Sequence, residues 1–267
     1  MEQRRLFFLT FFSLTGLFLL VAFLTDAMAF GVMKKRPKLH EYGNVLINNF
    51  SEKQNIAPVV FRHWLHRAKY TCRLCHVDIG FAMKAGDTGI TEEYNKSGFY
   101  CGTCHNGGEA FGPREINDSG VETNNCKRCH SFGQNVKFKY NFYEFRKQFP
   151  PDRFGNGIDW LKAEDRNLLA LKDYIEGVSI RKPKIQDPKE FNLTAREPDM
   201  PDIVFSHKKH TVWNGCELCH PEIFGIKKDS VPHSMEDIFA GKFCGVCHGT
   251  VAFPNIDCHR CHTKAVI

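Results

Sequence analysis

The chain has 267 residues, 42% hydrophobic and 25% charged, with 36 Lys plus Arg against 30 Asp plus Glu for a formal charge of +6. The basic residues form neither a tail nor an arginine stripe, so the charge gives no argument for nucleic acid as a partner. The departure from ordinary composition is 12 cysteines and 13 histidines, and their placement decides the reading.

The N-terminus reads as an export leader. Arg4 and Arg5 precede a charge-free apolar run from Leu6 to Leu24, and Ala27-Met28-Ala29 is a small-x-small cleavage site. The rival reading is an uncleaved membrane anchor. The run approaches spanning length, and Lys34, Lys35, Arg36 and Lys38 follow it closely. Residues 1–29 are therefore expected to be a signal peptide or anchor, and 30–54 an N-terminal extension. No other segment is apolar enough to span a bilayer.

From residue 72 onward, six copies of Cys-x-x-Cys-His use every cysteine. They are Cys72/Cys75/His76, Cys101/Cys104/His105, Cys126/Cys129/His130, Cys216/Cys219/His220, Cys244/Cys247/His248 and Cys258/Cys261/His262. This is the attachment signature of c-type haem: two thiols reach the two vinyl groups of one porphyrin, and the adjoining histidine is an axial ligand of its iron. A disulfide framework would not need the histidines, and zinc sites do not place one directly after every second cysteine. Iron–sulfur spacing is absent, and a thioredoxin-like motif would occur once. Six haems add two propionates each, so the holoprotein sits near zero charge when oxidised and turns acidic when reduced.

After leader removal about forty residues remain per haem, too few to wrap each porphyrin in its own globule. The cofactors are expected to form the core, in a mostly irregular, small-α fold with short helices carrying the motifs.

The chain contains one unit twice. Val59-Val60-Phe61-Arg62-His63-Trp64-Leu65-His66 matches Ile203-Val204-Phe205-Ser206-His207-Lys208-Lys209-His210, and each second histidine lies six residues before Cys72 or Cys216. Ala110-Phe111 and Ala252-Phe253 follow the second motifs. The loop from His105 to Cys126 is longer than that from His248 to Cys258. Expected modules are 55–131 and 198–267. Between them, 132–197 holds no cysteine or histidine. It carries an aromatic cluster of Phe138, Tyr140, Phe142, Tyr143, Phe145 and Phe149. A helix from Trp160 to about Glu176 is expected next, capped by Asp159, ended by Gly177, with Leu161, Leu168, Tyr174 and Ile175 on one face. The plain reading is a packed connector over haem edges; the sharper one is a surface for a partner or neighbouring subunit.

A Phe-x-His-x-x-His segment just before three haem motifs resembles the tri-haem class III cytochromes, the c7 group. The resemblance covers about Pro58 to His130 and Pro201 to His262. It implies two haem-cored tri-haem modules with bis-histidine iron. It also implies that His63 serves the Cys72/Cys75 haem and His66 the Cys101/Cys104 haem, with His207 and His210 doing the same for Cys216/Cys219 and Cys244/Cys247. For the third haem the family uses a His or Met before the second motif. His233 and Met235 stand there in the second copy, but Ile90 and Glu92 in the first, which leaves His40 upstream and Met83 as candidates. His259, inside the last motif, is read as solvent-exposed or as a ligand to another molecule.

The expected function is electron transfer outside the cytoplasm, in a bacterial periplasm or at the outer surface, between donor and acceptor proteins. Membrane association and self-association are also open. The alternatives are a terminal reductase of a metal ion or small oxyanion at an open haem, and a subunit of an extracellular cytochrome filament.

Overall fold

The computed structural model describes residues 36–264 except 117, 133–140, 182, 184, 185, 187, 197, 198 and 229. The leader, and Phe138 and Tyr140 of the aromatic cluster, lie outside the described residues. Among the described residues no helix is long and apolar enough to cross a membrane.

Regular structure is sparse and local. Strand β1 (Asn44–Ile47) pairs antiparallel with β2 (Val59–Arg62), from Asn44↔Arg62 to Ile47↔Val59. β2 runs directly into the five-residue helix α1 (His63–Arg67), which carries both histidines of the first pair. The same order recurs. β5 (Phe191–Leu193) pairs with β6 (Asp202–Phe205), and β6 runs into α6 (His207–Asn214).

The two copies also agree where no sequence identity marks them. Thr91 caps α2 (Glu92–Lys96), its side chain accepting from the Tyr94 N–H. Ser234 caps α7 (Met235–Phe239) in the same way, within a full capping box with Asp237. After each helix the second motif passes so close that only glycine fits. A Cβ on Gly102 would lie 1.8 Å from the Asn95 carbonyl oxygen, and one on Gly245 would lie 1.9 Å from that of Ile238. The third motif then returns to the first strand of its unit: His130 bridges Val59, and His262 of β7 (His262–Lys264) pairs with Ile203.

The extra residues of the first copy, between His105 and Cys126, form a hairpin, β3 (Arg114–Ile116) on β4 (Glu122–Asn124). It leads into α3 (Cys126–Cys129), which bears the third motif.

The segment between the copies supplies most of the conventional core. Phe142 of α4 (Phe142–Arg146), with Ile158 and Trp160, packs with Trp64 of the first copy and Trp213 of the second. Asp159 caps α5 (Trp160–Asp165) as expected, accepting from the Lys162 N–H at 3.1 Å. The expected helix to Glu176 is corrected: it ends at Asp165, because Asn167 turns the chain at a left-handed φ of 53°. Residues beyond it run extended, and Lys172 pairs in parallel with Tyr70. Leu168, expected on a buried face, is exposed; the buried positions of the helix are Trp160 and Ala163.

Candidate haem-binding sites

The twelve cysteines form no disulfide. Burial pushes the Cys75 and Cys247 thiols up to about 12 and those of Cys101 and Cys261 to about 11. Such thiols are neutral, as expected of cysteines that lie against an apolar group.

The histidines are held by one device. In all six motifs the imidazole Nδ1–H donates to a main-chain carbonyl a few residues on or at the start of the unit. His76 donates to Phe81 (2.8 Å), His105 to Phe111 (3.0 Å), His130 to Ala57 (2.9 Å), His248 to Phe253 (3.0 Å) and His262 to Pro201 (2.6 Å). His220 donates likewise to Phe224 at 2.8 Å. The paired histidines do likewise: His63 to Gly43 (2.6 Å), His66 to Arg62 (3.0 Å) and His210 to Ser206 (2.8 Å). A carbonyl only accepts, so each ring carries its proton on Nδ1 and leaves the Nε2 lone pair for a metal. Burial lowers the pKa of His63, His66 and His248 to about 4, against the opposing pull of those carbonyls, and lowers His76, His105 and His210 as well. The imidazoles are neutral, the form that binds iron.

Three histidine pairs face each other. The ring centres of His63 and His76 are 6.4 Å apart and their planes 8° from parallel. His66 and His105 are at 6.5 Å and 59°, and His210 and His248 at 6.2 Å and 65°. Two imidazoles with each Nε2 about 2 Å from one metal atom put their ring centres about 6 Å apart. These residues fit a bis-histidine iron. His207 and His220 are not brought face to face in this way, and the His207 Nδ1 is buried without a partner among the described residues.

The third-haem candidates separate. His233 packs against Phe243 (4.9 Å) and Phe224 (6.2 Å), beside the first motif of its unit. Met235, the first residue of α7, is 39% exposed. His40 meets the Tyr143 hydroxyl at 3.2 Å and the Phe142 ring, at the Gly43 end of the β1–β2 hairpin, whereas His130 sits at the Val59 end. Met83 and His259 are exposed.

The motif cysteines form a continuous series in which each thiol helps to raise the pKa of the next. Cys129 acts on Cys101, Cys104 on Cys75, Cys72 on both Cys219 and Cys247, and Cys244 on Cys261. Sequence reasoning missed what lines the crossing between copies, Arg67. Its guanidinium lies over the Trp160 ring (4.5 Å) and the Trp213 ring (5.1 Å) and donates to the Val251 carbonyl at 2.5 Å. Nothing in the motif pattern marks it, because the second copy has Thr211 there.

The model of a protein family, cytochrome c7 and related cytochrome c, matches residues 59–131 and 203–263, together half of the chain. The chain belongs to this cytochrome c7 family. All six motifs fall inside the matched segments, and the c7 chain binds six covalent c-type haems. Solved structures similar to this c7 chain include a "c7-type three-heme cytochrome domain", at 35% identity over 29% of this chain and 95% of that one, TM-score 0.27. The "C-terminal hexaheme fragment of GSU1996" is 24% identical over 86% and 99%, TM-score 0.26. The "dodecaheme cytochrome c GSU1996" is 21% identical over 83% and 73%, TM-score 0.27. No curated protein sequence matches the chain.

Proposed function

We propose that the chain is an electron carrier that works outside the cytoplasm through two tri-haem modules, residues 55–131 and 198–267, tied together by the packed connector 132–197. The observation that carries this is the set of facing imidazole pairs, each ring fixed on Nδ1 by the main chain with Nε2 directed inward. Each haem, when bound, supplies a one-electron iron couple whose potential the axial ligands tune. Two histidines saturate the iron and hold the same geometry in both oxidation states, which favours electron exchange over substrate binding.

His63, His66, His207 and His210 are the distal ligands of the first and second haems, opposite His76, His105, His220 and His248. Met235 serves the Cys258/Cys261 haem opposite His262. His233 is the alternative in that place: its Nδ1 meets the Val231 carbonyl at 3.3 Å and its ring packs on Phe224 and Phe243. A thioether in that place raises the potential at the far end of the thiol series. Residues 1–29 direct export and are cleaved, or stay as an anchor. Donor and acceptor are redox proteins.

Two measurements test this. Mass spectrometry of the mature protein is expected to find six haem additions that acid–acetone does not extract. His66→Ala and His210→Ala are each expected to turn one low-spin ferric iron high-spin by electron paramagnetic resonance. Unchanged spectra in both variants would sink the ligand assignment.

A further inference from the structure

The second motif of each copy has a layer beyond its histidine. Phe111 gives its carbonyl to His105 and also sets its ring against that imidazole, with ring centres 4.5 Å apart. Phe253 does both for His248, at 4.3 Å. Over each phenylalanine lies a guanidinium from the third motif. Arg128 is 3.4 Å from the centre of the Phe111 ring, and Arg260 is 4.8 Å from that of Phe253. The two arginines hold the same place, directly before the second cysteine; the other four motifs have Leu74, Thr103, Leu218 and Val246 there. A cation of the third motif is thus held, through one aromatic ring, against the motif histidine of the second.

The copies differ in what surrounds that cation. Arg260 is paired with Asp152 and with Asp159 (3.1 Å), both from the connector, and its Nε lies 4.0 Å from Asp257. The Asp152 and Asp159 side chains are 10% and 6% exposed, so water and salt screen them little. Arg128 is exposed and has no carboxylate partner among the described residues. Glu115, on β3, accepts from the Gly112 N–H and the Asn125 amide instead. The imidazole pairs themselves match. His66 and His105 stand at 6.5 Å and 59°, His210 and His248 at 6.2 Å and 65°, and both motif histidines donate at 3.0 Å.

We propose that the third-motif arginine tunes the second haem of its module, and that the connector cancels this tuning in one module only. Arg128 raises the potential of the Cys101/Cys104 haem, whereas Asp152 and Asp159 offset Arg260 beside the Cys244/Cys247 haem. The inference rests on the bis-histidine reading above. Reduction lowers the charge of the iron centre by one, so a nearby cation stabilises the reduced state and a neutralised cation does not. Neither arginine touches iron; each acts through the phenylalanine that orients the histidine. The connector is then more than a brace, because its two aspartates make matched haems unequal.

The test is a redox titration of the full six-haem protein, following each haem separately by nuclear magnetic resonance and comparing each with itself. Arg128→Gln should shift the Cys101/Cys104 haem to lower potential and leave the Cys244/Cys247 haem in place. Arg128→Lys, which keeps the charge, should retain most of the original value. The second module is read through Asp152→Asn, which removes a charge without stranding two buried carboxylates as an Arg260 variant would. It should shift the Cys244/Cys247 haem to higher potential and leave the Cys101/Cys104 haem unmoved. An Arg128→Gln protein in which only the Cys126/Cys129 haem moves, or in which melting temperature falls at constant potentials, overturns the proposal. So does an Asp152→Asn protein with an unshifted Cys244/Cys247 haem. A haem count below six by mass, or a high-spin second haem in either module, is a separate readout and strikes the parent reading instead.

Discussion

At the scale of single residues, the sites are built from a histidine whose second nitrogen is spoken for. The exception makes a prediction. His63 donates to Gly43 at 2.6 Å, while the Nδ1 of its counterpart His207 is buried without a partner among the described residues. A donated Nδ1–H makes the imidazole a stronger electron donor, which favours ferric iron. The Cys216/Cys219 haem should therefore have a higher midpoint potential than the Cys72/Cys75 haem, by a potentiometric titration with haem-resolved nuclear magnetic resonance. Equal or inverted potentials would remove the hydrogen bond as the cause.

At the scale of elements, the connector is fastened by helix α5. The Asp159 carboxylate caps the helix and also receives Arg260 at 3.1 Å, and Arg260 is further paired with Asp152. Burial would raise the Asp159 pKa, but the Lys162 N–H and Arg260 outweigh it and the net shift is downward. A carboxyl with a folded pKa below its unfolded value stabilises above the unfolded value, and that stability is lost as pH falls through the folded one. Asp159→Ala is expected to cost about 0.5–2 kcal/mol for the cap alone, with a further loss from stranding Arg260. Asp159→Asn should keep the cap and flatten the acid limb of the melting temperature at and below the ordinary carboxylate range. A full acid limb in Asp159→Asn would assign it to other carboxylates.

This element also marks where sequence reading stops. The Asp159 cap and the start at Trp160 were legible, because capping depends on neighbours in the chain. The end was not: Leu168 to Ile175 have a helical spacing, yet Asn167 turns the chain and Lys172 pairs with Tyr70, a partner far away in sequence. The motifs and the repeat were legible because haem attachment demands contiguous residues. The β3–β4 hairpin was not, because its strands are three residues each and mostly polar and exposed. Nor was the role of Gly43, whose carbonyl reaches His63 only through strand pairing.

At the scale of the whole molecule, the two copies are not beads on a linker. Trp64, Trp160 and Trp213 come from three successive segments and share one core, and the Tyr42 hydroxyl donates to Ala252 at 2.7 Å. The thiol series crosses between copies at Cys72, Cys219 and Cys247, and Arg67 stands at that crossing, interacting with Cys72 and Cys247. Its Nε is buried without a partner, and no carboxylate pairs with it among the described residues. A buried cation favours the reduced state of nearby iron. Arg67→Gln should lower the midpoint potential of the haems at the crossing, while Arg67→Lys should largely preserve it. Melting temperatures that fall with no change in potential would leave Arg67 a packing residue only.

The anchors of the candidate ligand histidines belong to the main chain. Gly43, Arg62, Phe81, Phe111 and Phe253 offer carbonyl oxygens that every amino acid possesses. Substituting those residues alters what hangs from the backbone and leaves the acceptor itself in place. The orientation of the ligands is in this sense encoded in the path of the chain, out of reach of most point mutations. Drift in the surrounding sequence can therefore retune surface charge while the orientation of these imidazoles is inherited unchanged.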